Sequence, residues 1–137
     1  MPYFTNSDEV YKYVAGVFQD ALDDPELGPK FAASEVVLKL SYTDPVATIV
    51  VDMPSGKVLV GDEASGAKPT VELFMTSDTA HRFWLGHVNV SMALAKGEMR
   101  AKGPVPKILK LVPLAKQAFP RYQALLEADG RNDLLAV

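Results

Sequence analysis

A chain of 137 residues with 48% hydrophobic and 23% charged side chains has the size and balance of one folded domain, not of a disordered segment. It holds no cysteine, which excludes disulfides, a thiolate nucleophile and cysteine-type zinc sites. The formal net charge is only −3, yet it is unevenly spread. Seven acids (Asp8, Glu9, Asp20, Asp23, Asp24, Glu26, Glu35) face Lys12 and Lys30 in the first 35 residues, whereas seven bases (Lys96, Arg100, Lys102, Lys107, Lys110, Lys116, Arg121) face Glu98 alone between 96 and 121. Such asymmetry can steer one end toward an anionic surface, but solvated helix and strand faces are the plainer account of it.

Thr5-Asn6-Ser7-Asp8 is a dense helix-start signal, and Val10, Val14, Val17, Phe18, Ala21 and Leu22 recur at helical spacing after it. Asp23-Asp24-Pro25 ends that helix, because the residue before proline avoids the helical region. Pro25 then opens a shorter helix carrying Leu27 and Phe31. Three strands follow. Val36, Leu38, Leu40 and Tyr42 share one face; Ala47, Ile49, Val51 and Met53 share the next; Val58 and Val60 oppose Leu59 in the third. Thr43-Asp44-Pro45 and Pro54-Ser55-Gly56 are tight turns, so the three strands predict an antiparallel meander. A polar loop from Gly61 to Lys68 leads onward.

Val71, Leu73 and Met75 alternate with Thr70, Glu72 and Phe74 in a fourth strand. Ser77 is the expected N-cap of a helix that Gly86 stops; Asn89 caps a second helix that Gly97 ends. Met99 to Lys102 is short and extended before Gly103-Pro104. This ordered set, namely Met75, Ser77-Asp78, Gly86-His87-Val88-Asn89, Ala93-Leu94-Ala95-Lys96-Gly97 and Arg100 to Gly103, resembles the sterol carrier protein 2 family, the sterol-binding or lipid-transfer domain. The similarity runs without a gap over that stretch and more loosely back to about Val36. Val90 departs from it, since many members carry proline there, but valine is compatible with a helix start.

After Gly103, Pro104, Pro106, Pro113 and Pro120 punctuate a helical pattern, and Pro113 and Pro120 are expected to break it into two or three pieces. Residues from Arg131 to Val137 are expected to fray. The long tail is a further departure from the family pattern.

A catalytic inventory is missing. His81 and His87 are six apart with glycine between them, unsuited to a metal pair, and read as a helix-surface and a loop histidine. Asp23-Asp24 and Asp62-Glu63 read as solvated pairs; the serines lack an elbow of glycines, and Gly56, Gly61 and Gly66 make no phosphate loop. The basic segment has few aromatics for base stacking in a chain of pI near 5.3, which argues against nucleic acid. No cofactor and no metal are expected, and the protein is read as non-catalytic.

What remains is apolar enclosure, with adaptable methionines suited to varied guests. The resemblance implies an α+β fold: an antiparallel-rich five-stranded sheet covered on one face by helices, with an apolar tunnel between them. The expected layout is one domain over 1–137, with N-terminal helices in 1–34, the sheet and two inserted helices in 36–103 and a helical tail in 104–130. The resemblance implies a tunnel accepting fatty acid, acyl-CoA, phospholipid or sterol. The expected lining is Leu73, Met75, Phe83, Trp84, Val88, Met92, Met99, Ile108, Leu109, Leu111 and Val112. Lys102, Lys107 and Lys110 are expected at the mouth, favouring anionic head groups or transient contact with an anionic membrane. The proline-broken tail is expected to act as a lid. An accessory or dimerising module that presents a hydrophobic substrate to a partner enzyme is the alternative function. The pattern carries no signal for oligomeric state. No secretory leader or bilayer-length apolar run is visible, so the cytoplasm is the expected compartment.

Overall fold

The computed structural model describes residues 2–137. Asn6 caps the first helix by accepting the Glu9 N–H at 3.0 Å. That helix runs through α1 (Ser7–Val10), a π-helical turn (Tyr11–Ala15) and α2 (Gly16–Asp23). The wider turn sets Tyr13, Val14 and Ala15 all on the buried side, ahead of Val17, Phe18, Ala21 and Leu22. The Asp24 carboxylate then accepts the N–H groups of Glu26 and Leu27, both at 2.8 Å, which starts α3 (Leu27–Ala33).

The strands are β1 (Val37–Thr43), β2 (Ala47–Asp52), β3 (Lys57–Val60), β4 (Val71–Thr76) and β5 (Arg100–Lys102), in the order β3-β2-β1-β4-β5. The predicted meander is present as antiparallel β1–β2 and β2–β3 pairs. The β4–β5 pair is antiparallel as well, but β1 and β4 are parallel, with Leu40 beside Leu73, so the sheet is mixed. A parallel neighbour needs a crossover, and β2, β3 and the short α4 (Asp62–Ser65) supply it. The expected polar loop at 61–68 therefore contains a helical turn, pinned by Ala64, which is fully buried.

Along β1 the alternation is strict: Leu38, Leu40 and Tyr42 are buried, whereas Val37, Lys39 and Ser41 are partly exposed. The buried face receives α5 (Ser77–Trp84), α6 (Val90–Lys96), α7 (Val105–Lys116) and the N-terminal helices. Thr76, not Ser77, caps α5, its Oγ1 accepting the Thr79 N–H at 3.1 Å. Ser77 is instead buried, and its hydroxyl donates to the Pro45 carbonyl at 2.9 Å. Asn89 caps α6 as predicted, and Gly97 ends it at φ +81°, the left-handed turn that glycine adopts freely.

The tail differs most from expectation. Pro113 sits inside an unbroken α7; the break falls at Gln117 and Ala118, and Pro120 lies in the first turn of α8 (Phe119–Ala128). Packing of Ile108, Leu111 and Ala115 on one face holds the helix through its missing N–H. Nor does the end fray: α9 (Asn132–Leu135) buries Leu134 to 2% exposure. Tyr122 and Leu126 are fully buried, so α8 and α9 belong to the core.

Candidate functional site

Between the sheet and its helical cover lies a cavity of about 70 Å³. Its floor is Leu38, Leu40 and Tyr42 of β1 with Leu73 and Met75 of β4, and Met53 stands at the edge beyond β2. Its roof is Ala80, Phe83 and Trp84 of α5, Val90 of α6, Met99, and Ile108, Leu111, Val112 and Ala115 of α7. Phe18 and Phe31 close it from the N-terminal helices. Strand period two and helix period 3.6 bring these side chains to one slot from distant stretches of chain. Trp84 stiffens one wall, because Phe18, Phe83 and Phe119 meet it edge-on with centroids 5.0, 5.3 and 5.8 Å away.

Eight of the eleven residues expected to line the tunnel do border this cavity: Leu73, Met75, Phe83, Trp84, Met99, Ile108, Leu111 and Val112. Three do not. Met92 is 53% exposed, because α6 buries Val90 and Ala93 and so turns Met92 outward. Leu109, 38% exposed, lies outside the buried stripe of Ile108, Leu111 and Ala115. With Val88 it lines an outer groove of about 260 Å³ between the start of α6 and α7, beside Asn89, Ser91, Pro113 and Lys116. Val90 and Val112 border both voids, so they form the partition between groove and cavity.

The charge asymmetry is partly closed within the chain. Arg121 pairs with Asp20 and Asp24, Arg131 with Glu9 and Asp133, and Lys12 with Asp129 at 2.8 Å. The backbone N–H groups of Leu27 and Glu26, with Arg121 beside them, hold the Asp24 carboxyl below its ordinary range. Lys102, Lys107 and Lys110 are exposed, and among the described residues none of them makes an ion pair. Helices α6 and α7 contain no acidic residue.

His81 is not on a helix surface. It is fully buried, with Nε2 2.8 Å from the Leu134 carbonyl and Nδ1 2.6 Å from the Tyr122 hydroxyl. A carbonyl only accepts, so Nε2 carries the proton and Nδ1 accepts from Tyr122. Tyr3 and Phe4 pack edge-on to the ring. Burial lowers the His81 pKa below its ordinary value, against the pull of the Leu134 carbonyl and Asp78. This histidine fastens α5, α8, α9 and the N-terminus together. Its position one turn after the Thr76 cap, on the face of Ser77, Ala80 and Trp84, was the available signal.

Among the described residues no His, Cys, Asp and Glu side chains converge to hold a metal. Nor, among the described residues, is any helix long and apolar enough to cross a membrane.

A mixed sheet roofed by helices over a hydrocarbon-lined slot is the architecture of a binder of apolar molecules. The model of the SCP-2 sterol transfer family matches residues 17–116, and the chain belongs to that family of lipid-binding domains. The match ends with α7, leaving α8 and α9 outside it. Among solved structures, the sterol carrier protein domain 2 of Helicoverpa armigera is similar at 21% identity and TM-score 0.64, over 82% of this chain and 89% of that one. Sterol carrier protein 2 of Yarrowia lipolytica in its apo form gives 18% identity and TM-score 0.63, over 77% and 88%. Sterol carrier protein 2 of Aedes aegypti, solved in complex with the C16 fatty acid palmitate, gives 25% identity and TM-score 0.54, over 80% and 93%. No curated protein matches significantly.

Proposed function

We propose that this protein is a non-catalytic carrier that encloses one aliphatic lipid, of the fatty acid, acyl-CoA, phospholipid or sterol class, and exchanges it with membranes. The observation that carries this reading is the lining: seventeen residues from sheet and roof, every one of them aliphatic, aromatic or thioether in character. Transfer of hydrocarbon out of water contributes about 0.8 kcal/mol per CH₂, so such a lining holds an acyl chain with little demand on its sequence of atoms. The palmitate complex of the Aedes aegypti protein supports the same ligand class.

The slot is far below the roughly 300–1,000 Å³ of sites that enclose small molecules, so loading requires the roof to move. The α6–α7 seam is where we expect it to open, since only Val90 and Val112 separate cavity and groove there. Pro113 offers no N–H to the Leu109 carbonyl, which leaves that turn of α7 the least braced. Lys102, Lys107 and Lys110 would then attract an anionic head group or bilayer.

Native mass spectrometry of the purified protein, followed by displacement of a fluorescent fatty acid in solution, tests it. Co-purifying lipid and saturable displacement are expected. Failure of fatty acid, sterol and phospholipid alike to bind would end the reading, and a lipid-free species with a stable protein partner would favour the accessory module.

A further inference from the structure

Resting on that reading, we propose that the Tyr42 hydroxyl and the Trp84 indole N–H are neutral hydrogen-bonding anchors inside the slot, selecting a guest that carries a hydroxyl or carbonyl oxygen at its buried end. Buried tyrosine and tryptophan ordinarily find partners for their polar atoms. Three tyrosines of the helices do so: Tyr13 donates to Asp129 at 3.0 Å, Tyr122 to His81 at 2.6 Å, and the Tyr11 hydroxyl accepts from the Thr48 N–H at 3.3 Å. Tyr42 and Trp84 are 4% and 2% exposed, and among the described residues neither polar atom has a partner. Only Arg82 Nε is both unpartnered and wholly sealed among those residues. The Tyr42 and Trp84 atoms are therefore not wholly sealed, and the void that both side chains line is the slot.

The chemistry of the two groups restricts the guest. Indole is a donor only, and a phenol can donate or accept, so an oxygen that accepts satisfies both. An ionised carboxylate would be buried there without a counter-charge, since no cation borders the slot. His81, close by in the core, has both ring nitrogens engaged and is kept neutral by its burial. Burial also pushes the Tyr42 phenol up, so it keeps its proton at neutral pH. A carboxylate end would remain outside with the lysines, and a neutral oxygen would go in.

An ω-hydroxy fatty acid has both ends. Displacement of a fluorescent fatty acid by palmitate and by ω-hydroxypalmitate would be compared for the wild-type chain and Tyr42→Phe. The variant removes a hydroxyl that has no partner, so its urea midpoint should not fall. It should weaken ω-hydroxypalmitate relative to palmitate by roughly 2- to 10-fold, the range of one neutral hydrogen bond. Trp84 is the only tryptophan, so the protein has a single indole N–H resonance. It should move downfield with ω-hydroxypalmitate more than with palmitate. Equal changes for both ligands, or an indole signal indifferent to the hydroxyl, would overturn the anchor while leaving lipid binding intact. Failure of both ligands to displace the probe from the wild-type chain would instead defeat the carrier reading, and the anchor with it.

Discussion

Filling the slot should stabilise the protein and weaken its proposed function in one step. Ala115 of α7 borders the cavity and is only 7% exposed, so Ala115→Leu sends three further carbons into it. A void of about 70 Å³, at about 24 cal/mol per Å³, represents about 1.7 kcal/mol of unrealised packing. Three buried carbons at about 0.8 kcal/mol each would contribute about 2.4 kcal/mol if all fitted. The smaller figure is the ceiling, because overpacking costs about 1–3 kcal/mol where side chains cannot shift. A net gain of about 1 kcal/mol is expected, a rise of about 3–5 °C in Tm for a chain of this size. The same carbons deny a guest the space of about three methylenes, which should weaken fatty acid binding about 60-fold. Urea unfolding and displacement of a fluorescent fatty acid measure the two effects. Binding at wild-type strength in a folded variant would show that the guest lies elsewhere.

Leu134→Ala, at the buried end of the chain, should cost about 2–5 kcal/mol in urea unfolding; a cost below 1 kcal/mol would mean that α9 is only loosely attached. His81 is held below the ordinary histidine pKa of about 6.5, so the folded state favours its neutral form. Its contribution to stability is full above that value and is lost as pH falls from there through the lowered pKa. Urea midpoints should therefore decline on acidification below about pH 6.5, and less steeply in His81→Leu; parallel profiles would remove the histidine from the account. Reversing Lys102, Lys107 and Lys110 to glutamate should slow lipid uptake from anionic vesicles and flatten its salt dependence, each lysine near an anionic surface contributing about 1 kcal/mol. Unchanged uptake would place the docking face elsewhere.

The strands were legible because alternation in Leu38-Leu40-Tyr42 and Leu73-Met75 is a local property; β1 buries the face its pattern marked, and in β4 Val71 and Leu73 are buried while Met75 is half-buried. The helix start within Thr5 to Asp8, the cap at Asn89 and the stop at Gly97 were legible for the same reason. Pro113 misled, since a proline penalty of about 3 kcal/mol is a local cost that the buried stripe of α7 outweighs. The outward turn of Met92 and Leu109 depends on where each helix seats on its neighbours, which composition does not express.

The residues alone determined the run of helices and strands, with three of the strands antiparallel, and a surplus of apolar side chains, because these rest on period and spacing along the backbone; the fold class and the family followed from resemblance of an ordered motif set between Met75 and Gly103. Only the tertiary structure decided the parallel β1–β4 contact, the burial of His81 against Leu134 and the partition by Val90 and Val112. Each of these joins segments far apart in sequence, and such contacts are set by how whole faces pack.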